Sequence, residues 1–464
     1  MRPLIALSLT EQQYGTLKNH LFPGDGKEAA AIALCGRRAG AERHRLLVRE
    51  VHPIPYDVCS LRAPDAIRWP VEWLDPLLDR AAAAGLSVVK FHSHPSDYRR
   101  FSAVDDQSDA ALFPGIHAWV GRPIIHASVV MLADGTLFGR SVDGDGGFTP
   151  LHMITCVGDD IRIWHDHDPL PAALSLRVGR PTAAFGHRMT AEFGQLAAAV
   201  VGGSGTGSIV IEQLARLGFG RLVLVDPERA EHKNMNRIVN ATWQDAEEGV
   251  PKVAIARRAI EAMRLGTTVD TYAGNLVRRD IAEAMAGCDI LFGCVDSAEG
   301  RDVLNRISAY YLLPYIDVGV RIGALMDGTI DRIDGVVHYL KPGGSSLYSR
   351  QAYQQSQVAA DALRRSNPSL YAERQREKYI DGAEEEAPAV ISVNMTVAAM
   401  AVNEMLARLY LTRNRPNRSF ATLRINLAEI EIDAEPEGDQ CPLFGPAAGI
   451  GDIEPRLSLP ELSA

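Results

Sequence analysis

"AAAVVGGSGTGSIVIEQLARLGFGRLVLVDPE", residues 197–228, decides how the larger part of this chain is read. A short apolar run leads straight into Gly202, and Gly205 and Gly207 follow where a turn opens a helix. A loop of this kind lets backbone N–H groups approach phosphates at a helix N-terminus. A second apolar run then ends at Asp226, about 20 residues on, where an acid accepts a ribose hydroxyl. The order strand, loop, helix, strand predicts a parallel sheet with crossover helices. By itself this unit fits NAD, FAD or ATP equally.

The residues downstream narrow the choice. "LVDPERAEHKNMNRIV" places Asn234, Asn236 and Arg237 directly after Asp226, and "GVPKVAIARRAI" adds Lys252. "CDILFGCVDSAEGRDVLN" puts Asp296 at the end of another buried strand, with Arg301 following. An enzyme that joins a carboxylate to ATP needs cations on the phosphates and an acid on magnesium. Arg237 and Lys252 suit the phosphates and Asp296 suits the metal, whereas a dehydrogenase needs none of them. This ordered set, over about residues 186–445, resembles the ThiF/MoeB superfamily, which includes the ubiquitin-activating enzymes. The resemblance implies that ATP and Mg(2+) are held by Gly202, Gly205, Gly207, Asp226, Asn234, Arg237, Lys252 and Asp296. It also implies that Arg188, in "FGHRMTAEFGQLAAAVVGG", reaches the triphosphate in the other subunit of a homodimer. Catalysis would then rest on Arg188, Arg237, Lys252 and Asp296, as the C-terminal glycine of a ubiquitin-like protein attacks the α-phosphate and pyrophosphate leaves. Ser204 stands where the family usually has glycine. If that position needs a positive φ, ATP affinity is the property affected.

The cysteines depart from the family further. They lie at 35, 59, 156, 288, 294 and 441, with no C-x-x-C pair. Related enzymes commonly carry P-G-G-x-C-x-x-C and a second C-x-x-C that together hold a structural zinc. Here Pro342-Gly343-Gly344 is followed by Ser346 and Ser349 at the thiol positions, and Cys441 is followed by Phe444 at the fourth. A tetrahedral zinc site cannot be built from one thiol, so none is expected in this part. Thioester-forming relatives also need a cysteine near the loop crossing the sheet, and none lies between Cys294 and Cys441. The expected product is an acyl-adenylate passed to a partner. A serine ester from the 345–365 region, with no base evident in sequence, or use of Cys441, are the alternatives.

The first third carries a different site. In "VVKFHSHPSDYRRFSAVDD", residues 88–106, His92 and His94 are two apart, which on a strand puts both rings on one face. Zinc takes such imidazoles plus a carboxylate and keeps a position for water. Asp105 can supply the carboxylate if the chain after Pro95 turns into a helix start, with Ser102 one turn before it. The spacing H-x-H-P-x6-S-x2-D resembles the JAMM motif of the MPN+ metalloproteases, over roughly residues 1–150. That resemblance implies zinc on His92, His94 and Asp105, Ser102 assisting the water or the oxyanion, and hydrolysis at the C-terminus of ubiquitin-like proteins. It also asks for a glutamate base before an early strand. Glu28, in "KEAAAIALCGR", is preferred and Glu50, in "LLVREVHP", is second. His117 and His126 read as core or rim residues.

Length and composition bound the rest. The 464 residues, 46% hydrophobic and 23% charged, suggest an ordinary soluble protein of two or three domains. A net charge of -10 argues against nucleic acid as the main partner. The N-terminus turns polar too quickly for a signal peptide, and no apolar stretch approaches the roughly 20 residues of a membrane helix. A cytoplasmic protein is the expectation. The expected fold class is α/β throughout: a JAMM-type domain over 1–150, a linker and lead-in over 151–185, and a Rossmann-like adenylating domain with a mostly parallel sheet over 186–445. A poorly packed tail over 446–464 would follow. "AIRWPVEWLDPLLDRAAAAG" reads as one helix ending at a glycine cap, residues 350–385 as helix plus mobile loop, and "AVISVNMTVAAMAVNEMLARLYL" as a long helix. Together the motifs lead to the expectation of a dual enzyme of a bacterial ubiquitin-like pathway, partnered by a ubiquitin-like protein and a conjugating-enzyme-like protein. One alternative is trimming and activation of a ThiS/MoaD-like sulfur carrier for cofactor biosynthesis, against which the lack of persulfide-handling cysteines counts. Another is a non-catalytic scaffold that binds ubiquitin-like proteins.

Overall fold

The structure is a computed structural model and describes residues 3–166, 189–324, 330–376 and 390–463. The chain divides into two units. The first comprises residues 1–168 with 310–312 and 448–453, and the second comprises the remainder.

The first unit is built on strands β1 (Leu4–Thr10), β2 (Ala30–Arg38), β3 (Arg43–Pro53), β6 (Ser87–His94), β7 (His126–Leu132), β8 (Leu137–Val142), β9 (Phe148–Pro150), β10 (Met153–Val157) and β11 (Ile161–His165). They form one mixed sheet in the order β11-β10-β1-β3-β2-β6-β7-β8-β9, while β4 (Leu61–Ala63) and β5 (Ala66–Arg68) form a separate hairpin. Both faces of the sheet are covered, which is why its inner strands read as nearly continuous apolar runs rather than as alternations. Helix α1 (Glu11–Leu21) packs Tyr14, Leu17 and Leu21 against Ala31, Ala33, Val89 and Phe91 on one face. Helices α2 (Asp75–Ala84) and α3 (Ala103–Val120) pack Leu77, Leu78, Phe113 and Ile116 against Ile32, Leu34 and Val88 on the other. Alternation along β6 therefore turns Lys90, His92 and His94, which share parity with Val88, toward the α3 side.

Two expectations for this unit are corrected. The single helix read from residue 66 is a β5 strand, a 3-10 turn over Val71–Leu74, and then α2. Pro70 biases the residue before it toward extended backbone, and Pro76 fits only the first turn of a helix. The glycine cap does hold, with Gly85 in the left-handed region at φ 64. The linker does not begin at residue 151. β10 pairs in parallel with β1, from Ala6↔Met153 to Thr10↔Val157, and β11 pairs with β10. Buried Met153, Ile154, Cys156 and Val157 supply the apolar area that makes this extension stable.

The second unit contains strands β12 (Ala197–Val201), β13 (Arg221–Val225), β14 (Thr268–Tyr272), β15 (Ile290–Gly293), β16 (Tyr315–Ala324), β17 (Ile330–Leu340), β18 (Thr422–Asn426) and β19 (Glu431–Glu435). Their order is β14-β13-β12-β15-β16-β17-β18-β19. The run from β14 to β16 is parallel and the last three pairings are antiparallel. Strand order reverses between β12 and β15, the switch point at whose carboxyl ends open α/β sheets bind ligands. The long helix expected near residue 400 runs from Ile391 to Tyr410. Residues 350–376 give helices over Gln355–Ser366 and Pro368–Arg376, and the rest of the expected loop lies outside the described residues. The segment after 446 is not loosely packed: Leu457 and Leu462 are fully buried. Among the described residues, no helix is long and apolar enough to cross a membrane.

Candidate functional site

In the first unit, antiparallel pairing of β2 with β6 sets Ala30 opposite His92, and the Ser93 amide donates to the Ala29 carbonyl at 3.0 Å. Extending that register by two residues brings Glu28 opposite His94, on the face that carries both histidines. The turn after Pro95 delivers Ser102 to the N-cap of α3. The Ser102 Oγ accepts from the Asp105 amide at 3.1 Å, and the Ser102 amide donates to Asp105 Oδ2 at 2.6 Å. This capping box fixes the carboxylate that faces β6. It also gives Ser102 a structural duty that the spacing alone did not reveal.

The imidazoles and the carboxylate converge. His92 Nε2 lies 3.2 Å from His94 Nε2, and Asp105 lies 2.9 Å from the first and 3.3 Å from the second. Four ligands about 2.1 Å from a zinc ion stand roughly 3.3–3.4 Å apart at tetrahedral angles, so these separations suit three corners of such a site. His94 Nδ1 donates to the Tyr98 carbonyl at 2.7 Å, which orients the ring with Nε2 toward the cluster. All three ligand residues are buried, and among the described residues this is the one His/Cys/Asp/Glu group with metal-binding proximity. The residues present fit a zinc ion. Burial pushes the Asp105 carboxyl up, but hydrogen bonds with His92 and His94 outweigh it and hold the group well below the usual carboxylate range. Burial pushes Glu28 up to about 7, with the His94 ring opposing this and the Asp105 charge adding to it. Glu50 is engaged elsewhere, bonded to Arg80 at 2.6 Å and to His52 at 3.1 Å. His126 is a core residue, its Nδ1 accepting from the Val88 amide, and His117 bonds the Val142 carbonyl.

In the second unit, the glycine loop leaves the carboxyl end of β12. Gly202 has φ +92, and a Cβ there would fall 2.3 Å from the Cys294 carbonyl oxygen. A Cβ on Gly207 would fall 1.7 Å from the Gly202 carbonyl oxygen, so both positions require glycine. The helix Gly205–Leu217 starts here with no side-chain cap from Ser204. Its first amides are therefore directed at whatever fills the loop, which is how helix N-termini take phosphate. The positive φ considered for Ser204 is not found, because its φ is -94.

Three of the charged residues read from sequence, Asp226, Arg237 and Lys252, lie around this loop. A Cβ built on Gly203 would sit 3.5 Å from Asp226 Oδ2 and 3.6 Å from Lys252 Cβ, and one on Gly205 would sit 3.6 Å from Arg237 Cδ. Asp226 is buried and accepts from the Gly203 amide at 2.6 Å and the Glu228 amide at 2.7 Å, so its carboxylate also shapes the loop. Lys252 is buried and ion-paired with Glu228. Asn234 is buried and accepts from the Glu231 amide at 3.1 Å, holding the turn before Arg237. Asp296 is exposed in the loop after β15. Arg188 lies outside the described residues. The sequence reading missed Asn394, on the helix Ile391–Tyr410, whose Nδ2 would be 2.3 Å from a Cβ on Gly205. Its only signal was a polar residue within an apolar helical run.

The region that cysteines occupy in related enzymes is held by other bonds. Ser346 Oγ lies 3.1 Å from Cys441 Sγ, and the Ser346 amide donates to Ser349 Oγ at 2.9 Å. Phe444 is buried beside them. Cys288 is buried as well, and burial pushes the Cys294 thiol up to about 12. One serine has a neighbouring acid that the sequence did not make evident: Ser345 Oγ donates to Glu437 Oε1 at 2.5 Å. Arg350 pairs with that carboxylate at 3.2 Å, and Ser345 is buried. Replacing Ser346, Ser349 and Phe444 together by cysteine, beside Cys441, is expected to add about one zinc per chain by metal analysis. An unchanged zinc content would show that the backbone here has lost the geometry of a four-thiolate site.

Comparison with known proteins agrees with both halves. The model of the ThiF family matches residues 179–443. The model described as prokaryotic homologs of the JAB domain matches residues 11–135. Ubiquitin-like modifier-activating enzyme 5 of Bombyx mori is 27% identical over 162 residues, covering 32% of this chain and 38% of that protein. The enzyme of the same name from Caenorhabditis briggsae is also 27% identical, covering 32% and 35%. The chain thus spans under two fifths of the length of these curated relatives. Among solved structures, E. coli MccB with ATP aligns at 17% identity and a TM-score of 0.42, covering 62% of this chain and 77% of its own. The microcin C7 biosynthetic enzyme MccB in complex with N-formylated MccA aligns at 16% and 0.43, covering 60% and 77%.

Proposed function

We propose, for a chain that belongs to the ThiF family, that it activates the C-terminal carboxylate of a ubiquitin-like protein with ATP and hydrolyses bonds to that same C-terminus through its JAB-type unit. The observation that carries the activating half is the meeting of Asp226, Arg237 and Lys252 around the glycine loop at the sheet's switch point. A carboxylate oxygen of the substrate would attack the α-phosphorus of ATP, forming the acyl-adenylate and releasing pyrophosphate. Arg237 and Lys252 would neutralise the charge that grows on the leaving phosphates, while the loop amides orient them. Magnesium, with Asp296 to hold it, would supply further charge neutralisation. The relatives' names, ubiquitin-like modifier-activating enzyme 5, support a ubiquitin-like protein as the substrate.

In the hydrolytic half, zinc held by His92, His94 and Asp105 would supply a Lewis acid and lower the pKa of a water toward about 7. Glu28, buried on the same face, would take a proton from the attacking water and return it to the leaving amine. Tyr98 and Ser102 would keep the ligand side chains in place through the bonds described above.

The buried state of Cys288, Cys441 and Ser345 and the raised thiol of Cys294 all favour release of the adenylate to a conjugating-enzyme-like partner over a covalent intermediate on this chain. Intact mass of the full chain mixed with a candidate ubiquitin-like protein and Mg-ATP tests this. Free acyl-adenylate with no adduct is the expected result. An adduct lost to thiol would restore a cysteine relay, and one lost only to hydroxylamine would establish a serine ester.

A further inference from the structure

We propose that Lys90, Asp109 and Arg140 form a positioning cluster that sets the metal site of the first unit. The inference rests on the reading of His92, His94 and Asp105 as metal ligands. Alternation along β6 puts Lys90 on the same face as both histidines. The helical period puts Asp109 one turn beyond Asp105 on the same side of α3. Strand and helix therefore meet in two successive rungs. One is the pair of imidazoles with Asp105. The other is the ion pair of Lys90 with Asp109, both buried.

The second rung is braced from β8. Asp109 Oδ2 accepts from Arg140 Nε at 3.1 Å and from Nη2 at 2.7 Å, and Arg140 Nη1 donates to Asp106 Oδ1 at 2.5 Å. Two cations thus face two carboxylates and the cluster is neutral. The Arg140 guanidinium lies between the rings of Phe101 and Phe148, 3.8 and 3.7 Å from their centroids. The Phe101 ring is 6.3 Å from the His92 ring and 5.5 Å from Phe138, which stands 6.3 Å from His94. Arg140 is in this way connected to Asp105 through the backbone of α3 and to both imidazoles through packed rings. Among the described residues, no hydrogen bond or ion pair joins Lys90, Asp109 or Arg140 to His92, His94 or Asp105. Their common effect is to fix the height of the first turn of α3 on β6, and so the distance from Asp105 to the histidines. Outer partners of this kind set metal affinity by holding ligands in place before the metal arrives.

The test uses the full chain and zinc itself. Zinc affinity is measured by competition with a chelating dye for the wild type, Lys90→Met and Arg140→Lys, alongside the unfolding temperature and the visible spectrum of the cobalt-substituted protein. Each variant is expected to bind zinc about 10–100-fold more weakly, with altered cobalt bands, and Lys90→Arg is expected to recover most of the affinity. A lower unfolding temperature with wild-type zinc affinity and cobalt bands would overturn the proposal and leave the cluster a stabilising feature only. Phe148→Ala strips an exposed ring from Arg140 without leaving a buried charge unpaired, so it reads the same question if Lys90→Met does not fold. Wild-type affinity in Phe148→Ala, like that in Arg140→Lys, counts against the cluster. A wild-type chain that takes up no zinc would sink the underlying ligand reading, whereas a zinc-binding wild type with indifferent variants sinks this inference alone.

Discussion

Glu28→Gln is expected to lower hydrolysis of a C-terminally extended ubiquitin-like protein by about 10²–10⁴-fold, the usual range for a general acid–base group, while leaving zinc content at the wild-type level. The substitution keeps size and hydrogen-bonding shape. Burial already disfavours the charged form of this carboxyl, so a neutral amide costs the fold little. The zinc ligands assigned here do not include Glu28, and Asp105 keeps its bonds to the histidines and to the Ser102 amide. The loss should therefore fall on proton transfer alone. The companion variant Glu50→Gln separates the two candidate bases. Glu50 is tied to Arg80 and His52, so its loss should leave hydrolysis close to wild type. Retained hydrolysis in Glu28→Gln with loss in Glu50→Gln would reverse the assignment.

Lys252→Met is expected to reduce ATP–pyrophosphate exchange driven by the ubiquitin-like protein by on the order of 10²–10³-fold, as for other single electrostatic groups at a transition state. Lys252 starts a helix, Lys252–Met263, and its stem lies against Gly203. Its ammonium pairs with Glu228, whose side chain is 68% exposed. That partner can turn to water when a triphosphate arrives, or when the lysine is removed. Methionine fills the volume of the stem, and the buried Asp226, which loses a nearby cation, keeps its bonds from the Gly203 and Glu228 amides, so the variant is expected to fold with a modestly lowered unfolding temperature. A variant that folds and exchanges pyrophosphate at the wild-type rate would remove Lys252 from the phosphate site. Hydrolysis by the first unit serves as the internal control, since it is expected to be unaffected.

Much of both sites was legible because the chemistry was written locally. The spacing of His92, His94, Ser102 and Asp105 survives translation into a strand, a turn and a capped helix. The glycine loop likewise depends on backbone constraints that neighbouring residues state directly. What stayed hidden was packing across distance. The preference for Glu28 over Glu50 rested on resemblance, and only the β2–β6 register shows which of them faces His94. Asn394 enters the loop from a helix almost 200 residues downstream of it. The role of Ser204 depended on a dihedral angle that composition does not encode. The segment 151–166 reads as linker when taken together with the Pro- and Gly-punctuated sequence up to residue 185. Its value as sheet appears only when β1 is placed beside it.

The sequence by itself determined that this chain is α/β, through the periodicity of its apolar residues, and its resemblance to the JAB and ThiF families, carried by motifs a few residues long, named the two units. Tertiary structure alone decided which acid faces the histidines, that Ser102 caps a helix, that Glu228 holds Lys252, and that Ser346 meets Cys441. Each of these depends on strand register or on contacts between distant segments, and such contacts exist only once the chain has folded.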